Sequence, residues 1–289
     1  MSRGKKTQLH PISRFRAPAA IEHGKALKLI FNETLVALIG ESISAVYPKF
    51  DEAAFVEMAS LGLDKLEFKQ RSEWIARALI EQLPTDFPTT AQILIRSFGP
   101  ELTQTAGNGM AVFFYMPHAQ VIATLGTEHF SEGMRANYEL TKRFTAEFSV
   151  RPFLVEHPSK CLALLTQWTQ DPNPHVRRLT SEGTRPRLPW AMRLPTFQRD
   201  PSFTLPLLEL LKDDGELYVR RSVANHLADI LKDNPDAGYQ VCANWLDELR
   251  SPSLDSTCRE NRQWIIRHAL RLPAKKGDSH ALQLRQRAR

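Results

Sequence analysis

The sequence predicts an all-α fold, an α-α superhelix (solenoid) of HEAT-like helical repeats, and three observations carry that expectation. Strand signals are almost absent, while apolar residues recur at helical spacing nearly everywhere, as in Ala53-Phe55-Val56-Met58-Ala59, Trp74-Ile75-Ala78-Leu79 and Leu207-Leu208-Leu210-Leu211. The breaks between these runs carry Pro, Gly, Asn or Asp. The chain also repeats itself: Pro158–Arg178 aligns with Pro201–Arg221 at an offset of 43, with nine identities in 21 positions. A helix, a short loop and a second helix opening on a basic pair, recurring about every 40 residues, is the signature of HEAT-type units. One such unit cannot bury its apolar side alone, so units stack and leave a concave binding face.

Along the chain, the helix breaks fall at Leu83-Pro84, Phe98-Gly99-Pro100, His157-Pro158, Asp171-Pro172-Asn173-Pro174 and Asn234-Pro235. They divide it into roughly a dozen short helices. Asn173 before Pro174 reads as an N-cap followed by proline at the first helical position. A third copy of the second helix is expected upstream, where Lys142–Glu147 matches Arg177–Glu182 at an offset of 35. One large domain is expected over 17–285, preceded by a flexible basic tail at 1–16.

Composition is that of an ordinary globular chain, with 42% hydrophobic and 24% charged residues over 289 positions. Disordered, collagen-like and fibrous classes are excluded. The longest apolar candidate, Met110 to Tyr115, stops at Pro117 and is far too short to span a membrane. A basic N-terminus without an apolar stretch does not read as a secretory signal. Cys161, Cys242 and Cys258 are too scattered for a disulfide framework or zinc motif, which fits a reducing cytoplasm. His118, His129, His175 and His226 show no metal-ligand spacing, and no phosphate-cradling glycine loop or nucleophile motif is present.

Net charge is +6, but its distribution is more informative. Residues 1–16 hold five cations and no acid, and 271–289 come to +5. Between these tails, 17–141 come to −6 and 188–270 to −2, while 142–187 come to +4. A basic stretch inside an acidic body is a candidate surface for a polyanion.

Aligning the three second helices sets Arg143, Arg178 and Arg221 side by side, with Glu147, Glu182 and Asn225 four residues later. Arg151, Arg185 and Asp229 follow at the next turn. Spacings of three and four keep such residues on one helical face, opposite Phe144, Phe148, Val176, Leu179, Val219 and Val223. Singly, each Arg–Glu pair is an ordinary surface bridge contributing a few tenths of a kcal/mol. Stacked, they form one patch of carboxylates rimmed by arginines, suited to an anionic polymer with a cationic centre. The loop Ser181–Trp190 adds two prolines, Arg185, Arg187 and an aromatic face at Trp190.

The strings His175–Ala191 and Tyr218–Ile230 closely resemble the AlkC branch of the AlkC/AlkD family of HEAT-like DNA glycosylases. Supporting matches are Thr145–Phe153, Leu66–Arg71, Leu83–Phe87, Arg267–Leu270 and Lys275–Gly277. The resemblance runs from about residue 20 to 285, leaves out residues 1–16, and predicts no C-terminal immunoglobulin-like domain.

It implies a DNA-binding groove and a monofunctional glycosylase with no metal or organic cofactor, releasing N3-methyladenine and related small methyl lesions. Cleavage would pass through an oxocarbenium-like sugar stabilised by carboxylates, without drawing the base into a deep pocket. Motif by motif, the family's acidic site residues fall on Glu147, Glu182 and Asp229, and its aromatic on Trp190. Arg143, Arg151, Arg178, Arg185, Arg187 and Arg221 are the candidates for phosphate contacts. Spacing leaves open which carboxylate positions the water. The expected partner is double-stranded DNA bearing alkylated bases, met by a monomer in the bacterial cytoplasm, nucleoid-associated and away from membranes. Binding should depend steeply on salt and weakly on sequence. The competing expectation is a non-catalytic HEAT scaffold that binds nucleic acid or protein.

Overall fold

A computed structural model describes residues 9–289. Among them the chain is all-helical, with sixteen α-helices, five short 3-10 turns and no strand. By internal packing the expected single domain resolves into two compact units, one ending at Ser149 and the other spanning Val150–Arg289.

The first unit holds α1 (Glu33–Ser44), α2 (Glu52–Ser60), α3 (Phe68–Gln82), α4 (Phe87–Ser97), α5 (Met116–Leu125) and α6 (Phe130–Thr141). Asn32, Asp51 and Asp86 cap three of these, each side chain accepting from the third residue on. Chain neighbours α1–α2 and α2–α3 pack together, as do α3–α5 and α4–α6. They bury Leu35, Ile39, Phe55, Ile75, Leu79, Leu94, Ile122 and Leu140 completely, each such side chain being worth about 1.5–3 kcal/mol. Within the motif Leu66–Arg71, Arg71 holds the fold together. Its buried guanidinium donates to the carbonyls of Phe31 and Leu66 at 2.9 Å and of Asp64 at 3.0 Å.

Residues 1–8 of the expected basic tail lie outside the described residues. From residue 10 onward the chain is built into this unit. Pro11–Arg14 forms a 3-10 turn, His10 Nε2 meets the Ser97 carbonyl at 2.8 Å, and Arg14 pairs with Glu41. Phe15 is buried against Phe114. The compositional boundary at residue 16 is therefore not a structural one.

The second unit holds α7 (Val150–Glu156), α8 (Pro158–Trp168), α9 (Pro174–Glu182), α10 (Pro195–Arg199), α11 (Leu205–Leu211) and α12 (Leu217–Asp233). It continues with α13 (Pro235–Glu248), α14 (Ser256–Ala269), α15 (Arg271–Lys275) and α16 (Ser279–Arg287). The two copies of the 43-residue repeat are α8–α9 and α11–α12, and the second helices, α9 and α12, pack on each other. The copies differ where proline differs. Pro158 opens α8 directly, whereas Pro206 confines Pro201–Phe203 to a 3-10 turn and delays α11 to Leu205. Likewise Pro186 ends the first copy early, while α12 runs on through Asp233. As expected, Asn173 caps α9, its Oδ1 accepting from the His175 N–H at 2.9 Å.

The core of this unit joins Leu208, Val219, Val223, Leu227, Ile230, Trp245, Ile265 and Ile266. All three cysteines are free thiols. Burial pushes Cys161 and Cys242 up to about 12, and a hydrogen bond to Asp255 takes Cys258 to about 11. Among the described residues, no helix is long and apolar enough to cross a membrane, and no group of His, Cys, Asp and Glu is arranged to hold a metal.

Candidate functional site

Two carboxylates of the expected cluster come together in the second unit. Glu182 ends α9 and Asp229 lies in the last turns of α12; both are buried. Arg185 bridges them, donating through Nη1 to Glu182 at 2.7 Å and through Nε to Asp229 at 2.8 Å. The second Glu182 oxygen accepts from the Ser222 hydroxyl at 2.6 Å, and Arg178 stands 3.5 Å from the first. Asp229 also holds the Lys232 ammonium at 3.2 Å; that lysine is 52% exposed while the carboxylate is 2% exposed.

Burial alone would raise the Glu182 carboxyl, but Arg178, Arg185 and the Ser222 hydroxyl outweigh it and hold the group below its ordinary value. Arg185 shows the mirror image: burial lowers it, and the two carboxylates raise it further. The result is a dry, pre-ordered carboxylate–guanidinium–carboxylate bridge. Beside it, burial drives His226 down to about 3, with Arg185 reinforcing the shift, so this histidine is neutral where its Nδ1 meets the Ser181 carbonyl at 3.0 Å.

The loop after α9 is fixed from below. Arg151, in α7, is fully buried and donates to the carbonyls of Gly183 and Arg185 at 2.9 Å and of Met192 at 2.6 Å. Gly183 is required there: a Cβ would stand 2.7 Å from Val150 Cγ1 and 3.0 Å from the Leu179 carbonyl oxygen. At the loop's far end, Ala191 N–H reaches back to the Leu188 carbonyl at 3.4 Å, with Pro189 and Trp190 between. Trp190 has φ 66° there, the position of a Pro-containing turn that normally takes glycine. The residue is 56% exposed, on a backbone that costs about 1–3 kcal/mol to hold.

Glu147 and Arg143 belong to the first unit, and here the sequence expectation needs correcting. Residues 142–149 are a turn between α6 and α7, not a helix, so Arg143, Glu147 and Arg151 do not form one helical stripe. The Thr145 hydroxyl accepts from the Glu147 N–H at 3.3 Å and donates to its carboxylate at 2.8 Å, a local loop that competes with helix. Glu147 is half-buried.

The expected phosphate contacts also divide. Arg151 is a correction: a guanidinium buried on three carbonyls is not presented to DNA. Arg143 donates to Gly99 and Glu139, and Arg185 to its two carboxylates, so both serve internal acceptors. Arg187 pairs with Asp233 (Nε to Oδ2 2.8 Å) and is 32% exposed, while Arg178 lies over the Tyr218 ring at 5.1 Å. Arg221 is exposed. Sequence reasoning missed Ser222, Lys232 and Asp233. Asp233 was recoverable, since it follows Asp229 by one helical turn; the Ser222–Glu182 bond spans 40 positions and leaves no periodic trace.

No family model matches the chain. It is 37% identical over 259 residues to the uncharacterized protein YhaZ of Bacillus subtilis (strain 168), covering 89% of this chain and 67% of that protein. Among solved structures it is similar to the Pseudomonas fluorescens alkylpurine DNA glycosylase AlkC bound to DNA containing an abasic site analogue. There the TM-score is 0.78 at 38% identity, over 90% of this chain and 67% of that one.

Proposed function

The chain belongs to the AlkC family of alkylpurine DNA glycosylases, and on that premise we propose that it hydrolyses the N-glycosidic bond of small cationic alkylated bases in duplex DNA. N3-methyladenine and related methyl lesions are the substrates. The observation that carries this reading is the buried Glu182–Arg185–Asp229 bridge, beside a rigid loop offering Trp190.

The chemistry follows from the charges. Methylation makes the base cationic, so the bond from its nitrogen to C1′ breaks with the electron pair leaving on the base. The positive charge passes to the sugar, water adds at C1′, and its proton is lost, leaving a free base and an abasic site. A pre-ordered carboxylate beside that sugar lowers the barrier; removing one such electrostatic group typically costs about 10²–10³ in rate.

Asp229 is best placed to act directly, because one of its oxygens is held only by the half-exposed Lys232, which a sugar cation can displace. Glu182, with both oxygens occupied from within the protein, fixes Arg185 and through it the Asp229 carboxylate. Glu147 is assigned to the sugar by its motif and by its half-exposed position. Trp190 packs against the lesion or its sugar, without a deep pocket for the base. Arg178, Arg187 and Arg221 reach phosphates. The enzyme works as a cytoplasmic monomer and needs no metal.

The test is release of free methylated bases from methylated duplex DNA by wild type, Asp229→Asn and Glu182→Gln. A glycosylase keeps DNA binding and loses base release in the variants. A scaffold shows no base release in any of the three.

A further inference from the structure

Most cations of the second unit's site are already matched. Arg178 and Arg185 face Glu182 and Asp229, and Arg187 faces Asp233. Two arginines break the pattern. Among the described residues, neither Arg221 nor Arg271 makes an ion pair, although both belong to the same cluster.

Their placement is built rather than incidental. Arg271, at the start of α15, donates through Nη2 to Asn225 Oδ1 at 3.0 Å and through Nη1 to the His268 carbonyl at 2.7 Å. Asn225 follows Arg221 by one turn of α12, and Asp229 follows Asn225 by one more. His268 is braced by Trp264, whose ring stacks on it at 4.7 Å with 14° between the planes. Burial, then Arg271 and Arg221, push His268 down to about 4, so both guanidiniums converge on one neutral ring. Arg271 is itself held below its ordinary value, by burial and then by Arg185, with Asp229 acting in the opposite sense. Asp229 is the carboxylate that reaches this corner, and Arg185 and Lys232 already hold its oxygens, so Arg221 and Arg271 have no carboxylate of their own and suit an incoming anion.

We propose that Arg221 and Arg271, framed by Asn225 and His268, form a phosphate-binding subsite for the DNA backbone flanking the lesion. This rests on the reading of Asp229 as the residue at the damaged sugar. Four residues of helix rise about 6 Å, so Asn225 and Arg221 stand about 6 and 12 Å along α12 from Asp229. That is the reach of a phosphate flanking the damaged nucleotide, not of the reacting sugar.

The experiment measures the affinity of the full chain for a duplex with an abasic-site analogue and for the undamaged duplex, over a range of salt concentrations. The variants are Arg221→Gln, Arg271→Gln and Arg271→Lys, with Arg250→Gln as a control for lost charge at an exposed position. In the two charge-removing variants the slope of log K against log salt should fall by about 0.9 for each phosphate that is no longer neutralised. Both duplexes should weaken by the same several-fold factor, and Arg271→Lys should keep most of the slope. Slopes equal to wild type, or equal to Arg250→Gln, overturn the proposal. So does wild type without DNA affinity, which removes the proposed function with it. Reduced slopes in a protein that releases no base would uphold the subsite and reject the glycosylase reading. Arg221 is exposed, so its variant remains informative should Arg271→Gln fail to fold.

Discussion

Arg151 Nε donates to the main-chain carbonyl of Met192 at 2.6 Å, while its Nη1 binds the carbonyls of Gly183 and Arg185. One buried side chain thereby ties both ends of the loop that presents Trp190. Arg151→Met leaves those three carbonyls unsatisfied and should lower stability by at least about 3 kcal/mol, at about 1–3 kcal/mol for each buried group left without its partner. Base release should fall further than stability alone explains, because the loop loses its frame. Urea unfolding, with acrylamide quenching of Trp190 taken as the difference from a Trp190→Phe background, checks both outcomes.

Trp190 offers a sharper separation of stability from activity. Glycine is the natural occupant of a turn position with φ 66°, so Trp190→Gly should leave the protein as stable or raise stability by about 1 kcal/mol. Base release should drop by at least tenfold. A variant both less stable and fully active would contradict the role given to the ring.

Glu182 makes a pH prediction with a definite sign. Its carboxyl is held below the ordinary value, so it contributes stability that is fully present above about pH 4.3 and is lost as pH falls through the folded-state value. Glu182→Gln mimics that protonation at neutral pH and should cost about 3–5 kcal/mol, the usual effect of breaking a buried pair. In thermal melts the gap between wild type and variant should be smaller at pH 3.5 than at pH 7.

The buried histidines act at milder acidity. His118 and His226 both fall to about 3 from an ordinary 6.5, chiefly through burial, so between those values the unfolded chain takes up protons the folded chain refuses. Stability should decline as pH drops below 6.5, by about 1.4 kcal/mol per unit for each histidine. His268, pushed down to about 4, and His10, also lowered, add to the same slope, so His118→Gln or His226→Gln should each remove no more than about a third of it between pH 6.5 and 5.5, read from urea midpoints.

Much of this arrangement was legible in the sequence, and the reasons are local. The Asn173-Pro174 cap, the 43-residue repeat and the apolar faces of α9 and α12 are short-range patterns, and the structure repeats them. Arg178 and Glu182 meet because four residues make a helical turn. The same spacing misled at Arg143 and Glu147, where the Thr145 hydroxyl closes a loop that periodicity cannot register. Partners were harder still. The acceptors of Arg151 lie 32 to 41 positions away and are main-chain oxygens, which carry no residue identity at all. Arg185 and Asp229 were both named as candidates, yet the bond between them depends on how α9 stacks on α12.

The three cysteines have a consequence that concerns the conditions under which such an enzyme is needed. Reagents that methylate DNA also methylate thiolates, and they react far less readily with thiols. Groups held at about 12, 12 and 11 are thiolate to only about one part in 10⁴–10⁵ at neutral pH. During a methylating assault the chain keeps its three thiols in the less reactive protonated form, two by sealing them in the core and one by holding its proton against Asp255. Its thiols are thereby poor targets for the agent that creates its substrate.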